Sequence, residues 1–122
     1  MSTTQARPGF DLGALRRGIE ERDAARLVEL YAEDAELRLV DRVNPPSSPR
    51  VLQGRAAIAD YLGDICGRDM THRVEHLMTD GDTVSFTESC AYPSGSRVLC
   101  SATMDLADGR ITRELGVQVW DE

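Results

Sequence analysis

The fold is decided by residues 23–62, which begin DAARLVELYAEDAEL (23–37), continue through RLVDRVNPPSSPR (38–50) and end VLQGRAAIADYL (51–62). The first segment places apolar residues every three or four positions and then alternates apolar with charged residues. That pattern predicts a helix that runs into a strand. The middle segment is rich in proline and serine and predicts a loop. The last segment predicts a short strand and a further helix.

Three helices are predicted, all in the first part of the chain. The first follows a possible N-cap at Asp11, and the second follows one at Asp23. The second helix is predicted to carry Tyr31 on its apolar face and to close at the acidic pair 33–34. The third is expected over residues 55–66, where apolar residues again recur at helical spacing.

Six strands are predicted, and the last four are separated by short turns rich in Gly, Asp, Pro and Ser, as expected of antiparallel neighbours. The predicted strands are residues 35–40, 51–53, 71–79, 83–92, 97–106 and 111–120. The element order is therefore ααββαββββ, which defines an α+β domain.

The charge balance excludes some partners. The formal net charge is −7 and all 14 basic residues are arginine, so nucleic acid is not an expected partner, because phosphate binding needs a basic surface. No apolar run approaches the ~20 residues of a membrane span, and no secretory signal is visible at the N-terminus. We expect a cytoplasmic protein with a disordered lead at residues 1–9 and a single domain over residues 10–122.

The cysteines and histidines predict neither a disulfide framework nor a metal site. Cys66, Cys90 and Cys100 are odd in number and have no Cys-x-x-Cys spacing, so we expect them to be reduced. His72 and His76 would lie about 13 Å apart along a strand, too far to bind one ion together. No metal and no cofactor are therefore expected.

The element order, the Tyr-Ala-Glu-Asp-Ala motif at 31–35 and the Gly-Arg-x-x-Ile helix start at 54–58 together resemble one superfamily. It is the nuclear transport factor 2-like superfamily, in its SnoaL-like polyketide cyclase and ketosteroid isomerase-like branch. The resemblance covers residues 11–120. It implies a cone-shaped fold in which three helices pack on a strongly curved, mainly antiparallel sheet and enclose a pocket.

Ketosteroid isomerases abstract a proton beside a carbonyl and place hydrogen-bond donors where negative charge develops. The resemblance places their base at Leu39, their tyrosine at Leu15 and their late-strand acid at Ala102 or Met104. All these positions are apolar, so standard steroid isomerase chemistry is not expected. The predicted pocket wall is Leu15, Tyr31, Leu39, Ala102, Met104 and Trp120, the last either in the pocket or at a subunit interface.

The catalytic candidates are His72, Asp41 and Glu88. SnoaL-like sequences often carry a histidine where the strand after the third helix begins, which matches His72, and a histidine can act as general acid or base near neutral pH. Asp41 has the same strand parity as Leu39 and could be a displaced base. Glu88 could assist, with Glu114 as an alternative, and the parity of its strand leaves open which way Glu88 faces.

For two further polar residues, strand parity predicts the face of the sheet on which they lie. The later-strand aspartate of SnoaL-like cyclases has Asp105 as its available counterpart, but Asp105 has the opposite parity to Ala102 and Met104. Strict alternation places His76 on the same face as His72.

These patterns predict a pocket protein that binds a small apolar ligand, with possible isomerase, cyclase or hydratase chemistry. The alternative is a non-catalytic binding or accessory module. Either form is expected to be a homodimer through the outer face of the sheet. The last strand has Leu115, Val117 and Val119 on one face, and an apolar set left uncovered by the helices needs a partner.

Overall fold

The computed structural model describes residues 9–121. Its elements are α1 (Leu12–Glu20), α2 (Ala24–Val28), β1 (Tyr31–Val40), β2 (Arg50–Gln53), α3 (Arg55–Cys66), β3 (Thr71–Asp80), β4 (Thr83–Ala91), β5 (Arg97–Ala107) and β6 (Arg110–Trp120). The predicted α+β order is confirmed. The predicted disordered lead, residues 1–9, lies outside the described residues except for Gly9. No described helix is long and apolar enough to cross a membrane.

The helices begin where their capping residues allow. Asp11 Oδ1 accepts a hydrogen bond from the Ala14 amide at 2.9 Å, and Asp23 Oδ1 accepts one from the Arg26 amide at 3.1 Å. Gly18 lets α1 and α2 approach closely, because a Cβ at this position would lie 2.7 Å from Leu27 Cδ2. The two short helices therefore support each other by packing rather than by length.

The prediction for the end of the second helix is wrong. The helix stops at Val28, and Tyr31 is the first residue of β1 rather than a helical residue. Long-range hydrogen bonds hold this segment in the sheet: the Arg55 guanidinium donates to the Tyr31 carbonyl at 3.0 and 2.6 Å, and the Ile111 amide donates to the Leu30 carbonyl at 2.9 Å. Tertiary pairing thus overrides the local helical spacing.

The six strands form one sheet in the order β2-β1-β6-β5-β4-β3. The β1–β6 pair is parallel and every other pair is antiparallel. The helices cover one face, where the most deeply buried side chains are Leu15, Leu37, Ile58, Val84, Met104 and Ile111. The opposite face carries exposed apolar side chains on β5 and β6.

Strand β3 contains an irregularity that corrects the prediction for His76. The register with β4 shifts between Glu75 and Met78, and His76 has a φ of 54° and is exposed. Because of this bulge, Leu77 packs against the core. His72 and His76 therefore do not share a face.

Candidate active site

A cavity of about 220 Å³ lies between the helices and the inner face of the sheet. The residues that the sequence placed in its wall all line it: Leu15, Tyr31, Leu39, Ala102, Met104 and Trp120. The three catalytic candidates, His72, Asp41 and Glu88, line it too. The wall is less apolar than the sequence suggested, because two glutamates, a glutamine and several hydroxyl and thiol groups also face the cavity.

Strand parity decides which polar residues reach the cavity. On β4 the inward positions include Phe86, Glu88 and Cys90, and on β6 they include Glu114 and Gln118. This arrangement answers the question that the sequence left open for Glu88. Asp105 is exposed on β5 and does not line the cavity, so the expected counterpart of the family's aspartate is not available there.

His72 is the best-placed acid–base group of the cavity. Its side chain is 4% exposed, and its Nδ1 lies 2.7 Å from Glu88 Oε2. A carboxylate at this distance favours the tautomer with the proton on Nδ1, which leaves Nε2 as an acceptor. Nε2 is buried and has no hydrogen-bond partner among the described residues. A buried polar atom without a partner is rare and points to a ligand contact.

Cys90 completes a cluster with these two residues. The two strands pair His72 with Cys90 directly, and the Cys90 thiol lies 3.2 Å from Glu88 Oε2 and 3.3 Å from His72 Nδ1. A hydrogen bond with Cys100, burial and the charge of Glu88 all raise the pKa of the Cys90 thiol. Cys90 is therefore a protonated packing group rather than a nucleophile.

The same three side chains are the ones that could hold a metal ion. One ligand atom from each of His72, Glu88 and Cys90 lies within 4.8 Å of the others. The sequence does not indicate this set, because the spacings of the histidines and of the cysteines along the chain do not show that two strands bring His72 beside Glu88 and Cys90. As the atoms stand, they are satisfied by hydrogen bonds to one another, so the cluster does not require a metal.

A second acidic group, Glu114, forms a pair with Tyr31. The Tyr31 hydroxyl donates to Glu114 Oε1 at 2.5 Å. The pKa of Glu114 is raised to about 7: burial raises it most, the hydrogen bond from Tyr31 lowers it, and the charge of Glu88 raises it. Burial and the Glu114 charge hold the pKa of Tyr31 well above its usual value, so Tyr31 stays a donor. Near neutral pH, Glu114 is therefore divided between its acid and its base form.

The cavity mouth is built from arginine and aromatic side chains. Gln118 Nε2 donates to the Tyr61 hydroxyl at 3.2 Å, and Trp120 Nε1 donates to Gln118 Oε1 at 3.2 Å. The Arg50 guanidinium lies 5.5 Å from the Tyr61 ring centroid, and that of Arg42 lies 4.9 Å from the Trp120 ring. These contacts hold the rim residues in defined orientations.

Asp41 has a structural task at the rim. Its Oδ1 accepts hydrogen bonds from the Val43 amide at 3.0 Å and from the Asn44 amide and side chain at 2.9 and 3.0 Å. Such contacts are typical of an Asx turn. The candidate base is thus engaged in shaping the loop that follows β1, and we do not assign it a proton-transfer role.

Comparison with known proteins agrees with this architecture. The family model described as SnoaL-like domain matches residues 13–114. The chain therefore belongs to the SnoaL-like domain family. Members of this family and fold include isomerases, cyclases and epoxide hydrolases. Among curated proteins, none matches the sequence significantly.

Several solved structures share the fold. An NTF2-like protein of unknown function from Mesorhizobium loti is 22% identical, with a TM-score of 0.78 over 95% of this chain and 96% of the other. The epoxide hydrolase/cyclase-like enzyme SalBIII, described in pyran ring formation in the polyether salinomycin, is 22% identical, with a TM-score of 0.66 over 90% and 87%. An LEH-like epoxide hydrolase from M. tuberculosis is 18% identical, with a TM-score of 0.63 over 90% and 79%. At these identities the likeness shows the fold.

Proposed function

We propose that the cavity carries out cofactor-independent acid–base chemistry on a small, mostly apolar molecule, as an isomerase, cyclase or hydratase does. The observation that carries this proposal is the buried His72 ring, whose Nδ1 is held by Glu88 while Nε2 has no partner among the described residues. A histidine oriented by a carboxylate, with its other nitrogen free, is the arrangement that proton transfer needs.

The two acidic groups take different roles in this proposal. Glu88 orients the His72 ring and stabilises the imidazolium that forms when Nε2 takes a proton from the ligand or from a water molecule. The Tyr31 hydroxyl holds the Glu114 carboxyl by a hydrogen bond, and the neutral form of that carboxyl is a donor that can stabilise negative charge as it develops on a ligand oxygen. When Glu114 is ionised it accepts a proton instead, so its pKa near 7 suits general acid–base work.

The apolar part of the wall selects the ligand. Leu15, Leu39, Phe86 and Met104 line the cavity, and its volume of about 220 Å³ lies below the ~300–1,000 Å³ of sites for drug-sized molecules. We therefore propose a small ligand with an apolar body.

A thermal-shift screen of small apolar ketones, epoxides and lactones tests the cavity as the binding site. Ligands that bind the folded protein are expected to raise its melting temperature, since occupancy at 100 times Kd stabilises a protein by about 2.7 kcal/mol. Ala102→Phe fills the cavity and is expected to abolish the shift. Thr87→Phe, on the outer face of neighbouring β4, is the matched control and is expected to keep it. A shift that survives Ala102→Phe places binding elsewhere.

We also propose that two copies pack through the outer face of β5 and β6. Four side chains form an exposed apolar patch there: Leu99 (50% exposed), Leu115 (44%), Val117 (36%) and Val119 (64%). Strand pairing sets Leu99 directly beside Val119 and makes the patch continuous across both strands. A contiguous apolar patch on a sheet face is typical of a protein–protein interface.

Light scattering combined with size-exclusion chromatography tests this dimer. The wild type is expected to show twice the 13.4 kDa chain mass at micromolar concentration. Leu115→Arg puts a charge into the patch and is expected to give a folded monomer. Met78→Arg changes an exposed apolar residue outside the patch and is expected to remain dimeric. A monomeric wild type contradicts the proposal.

A further inference from the structure

The acidic and the basic groups around the cavity lie at different depths. The acidic groups of Glu88 and Glu114 lie inside: the Glu88 side chain is 18% exposed, and the Glu114 carboxyl is buried and hydrogen-bonded to Tyr31. Of the basic groups, Arg50 lines the cavity at an exposed position, and the exposed Arg42 lies over Trp120, another lining residue. A ligand that enters therefore passes from a positive mouth to an acidic interior.

Arg50 is the rim arginine that is free to bind a ligand. It lines the cavity, its guanidinium lies over the Tyr61 ring, and it forms no ion pair with any residue in the described part of the chain. This cation–π contact holds the guanidinium near the ring, and its N–H groups can bind a planar anion. Arg68, by contrast, donates to Asp64 Oδ2 at 2.7 Å and to the Tyr92 hydroxyl at 3.0 Å. The charge of Arg68 is therefore already neutralised.

The other charged groups near the mouth limit the ligand to one negative charge. Asp41 lines the cavity and keeps a carboxylate near the rim, although its Oδ1 is occupied by the following loop. Its charge offsets one of two nearby arginines, Arg50 in the cavity wall and Arg42 over Trp120, neither of which forms an ion pair among the described residues, so one net positive charge is left. An anion deeper in the cavity would face Glu88 and Glu114 without a counter-charge, and a buried unpaired charge is costly.

From this arrangement we infer that the natural ligand is a small monocarboxylate, which binds with its carboxylate against Arg50 at the mouth and its apolar body inside. The inference rests on the proposed function, since it names the ligand class of the same cavity. It also defines an orientation, because the end of the ligand remote from the carboxylate is the part that reaches His72 and Glu114.

Isothermal titration calorimetry at low ionic strength, with matched acids and amides, tests this orientation. The probes are cyclohexylacetate and 4-phenylbutanoate, each compared with its primary amide. The wild type is expected to bind the carboxylates at least ~10-fold more tightly than the amides, as a partly exposed charge-assisted contact allows. The preference is expected to shrink as salt is added. 1,4-Phenylenediacetate, with a second carboxylate at its far end, is expected not to bind.

Substitutions of Arg50 test whether this side chain causes the preference for carboxylates over amides. Arg50→Gln is expected to remove the preference for carboxylate over amide while leaving amide affinity unchanged. Arg50→Lys keeps the charge but loses the planar fork, and is expected to retain part of the preference. Arg38→Gln, at an exposed position on the outer face of β1, is the matched control and is expected to behave as the wild type.

The inference is overturned if the amides bind as tightly as the acids, or if Arg50→Gln keeps the preference. In either case the acid–base proposal is unaffected, because it rests on His72 and does not require a carboxylate on the ligand. Absence of binding by all of these compounds at millimolar concentration also overturns the inference. The acid–base proposal is then decided separately, by the effect of a His72 substitution on turnover.

Discussion

Replacing His72 with asparagine is expected to lower kcat/KM for the substrate of the cavity by ~100-fold or more, the usual loss when a general acid or base is removed. Asparagine can keep a hydrogen bond to Glu88 in place of Nδ1, but it has no atom at the position of Nε2. The substitution therefore removes the unpartnered nitrogen while preserving the wall around it. Steady-state kinetics on a substrate found by the binding screen measures the effect.

His76→Asn is the matched control for this experiment. The protein has two histidines, and His76 lies exposed on the β3 bulge. Its replacement is expected to leave kcat/KM within about twofold of wild type, since exposed substitutions away from special features have small effects. If His72→Asn is fully active while folded and able to bind the ligand, His72 is not the acid–base group. Proton transfer then belongs to another group of the cavity, with the Glu114–Tyr31 pair as the next candidate.

Glu88→Gln separates two effects of Glu88 on His72: the orientation of the ring and the stabilisation of its positive charge. Glutamine can hold the His72 ring by a hydrogen bond but cannot stabilise an imidazolium electrostatically. The loss of activity is therefore expected to fall mainly in kcat, with little change in ligand affinity. An equal loss in affinity would indicate that Glu88 contacts the ligand directly.

Replacing Glu114 with glutamine is expected to stabilise the protein at pH 8. The folded pKa of Glu114, about 7, exceeds its ordinary value of 4.5. The folded state therefore binds more protons than the unfolded state between these values, and stability falls as the pH rises through this window. Above it, the buried charge costs about 3 kcal/mol. Glutamine carries no charge and still accepts the hydrogen bond from Tyr31.

Urea unfolding of both proteins at pH 4 and pH 8 measures this effect. The stability difference between Glu114→Gln and wild type is expected to be near zero at pH 4 and to reach about 3 kcal/mol at pH 8. Because the two proteins are compared at the same pH, the effects of all other titrating groups cancel in this stability difference. Glu75→Gln, on the outer face of β3, is the control and is expected to show little pH dependence. A Glu114→Gln difference that is the same at both pH values contradicts the raised pKa.

Tyr31→Phe provides a second check on the same pair. The hydrogen bond from Tyr31 lowers the pKa of Glu114, so its removal is expected to raise that pKa above 7. The loss of stability with rising pH is then expected to extend to a higher pH than in the wild type. A shift in the opposite direction would mean that the Tyr31 hydroxyl does not donate to Glu114.

Local features of the sequence were enough to predict most of the fold. Asp11 and Asp23 predicted the starts of α1 and α2 because capping depends on residues within one helical turn. Helix α3 was predicted with its observed bounds, and the three hairpin turns placed β3 to β6 within one or two residues. These signals act over short distances along the chain, so they can be read from the sequence without knowledge of the fold.

The predictions were wrong where residues remote in sequence determine the backbone conformation. Tyr31 belongs to β1 because the Arg55 guanidinium and the neighbouring strand β6 hold its segment, contacts that span 24 residues or more. His76 leaves the inner face because of a bulge in its pairing with β4, which alternation along β3 alone does not reveal. In both places a hydrogen-bonding partner remote in sequence outweighs local periodicity.

For the site, the sequence by itself determined the family resemblance, the apolar positions of the cavity wall and His72 as the main candidate. Only the tertiary structure decided that Glu88 and Cys90 meet His72, that Glu114 rather than Asp105 faces the cavity, and that Asp41 is engaged in its own loop. The physical reason is that residue identity supplies the chemical groups. Their burial, charge neighbours and hydrogen-bond partners, which set protonation and reactivity, arise from strands that meet only when the sheet has formed.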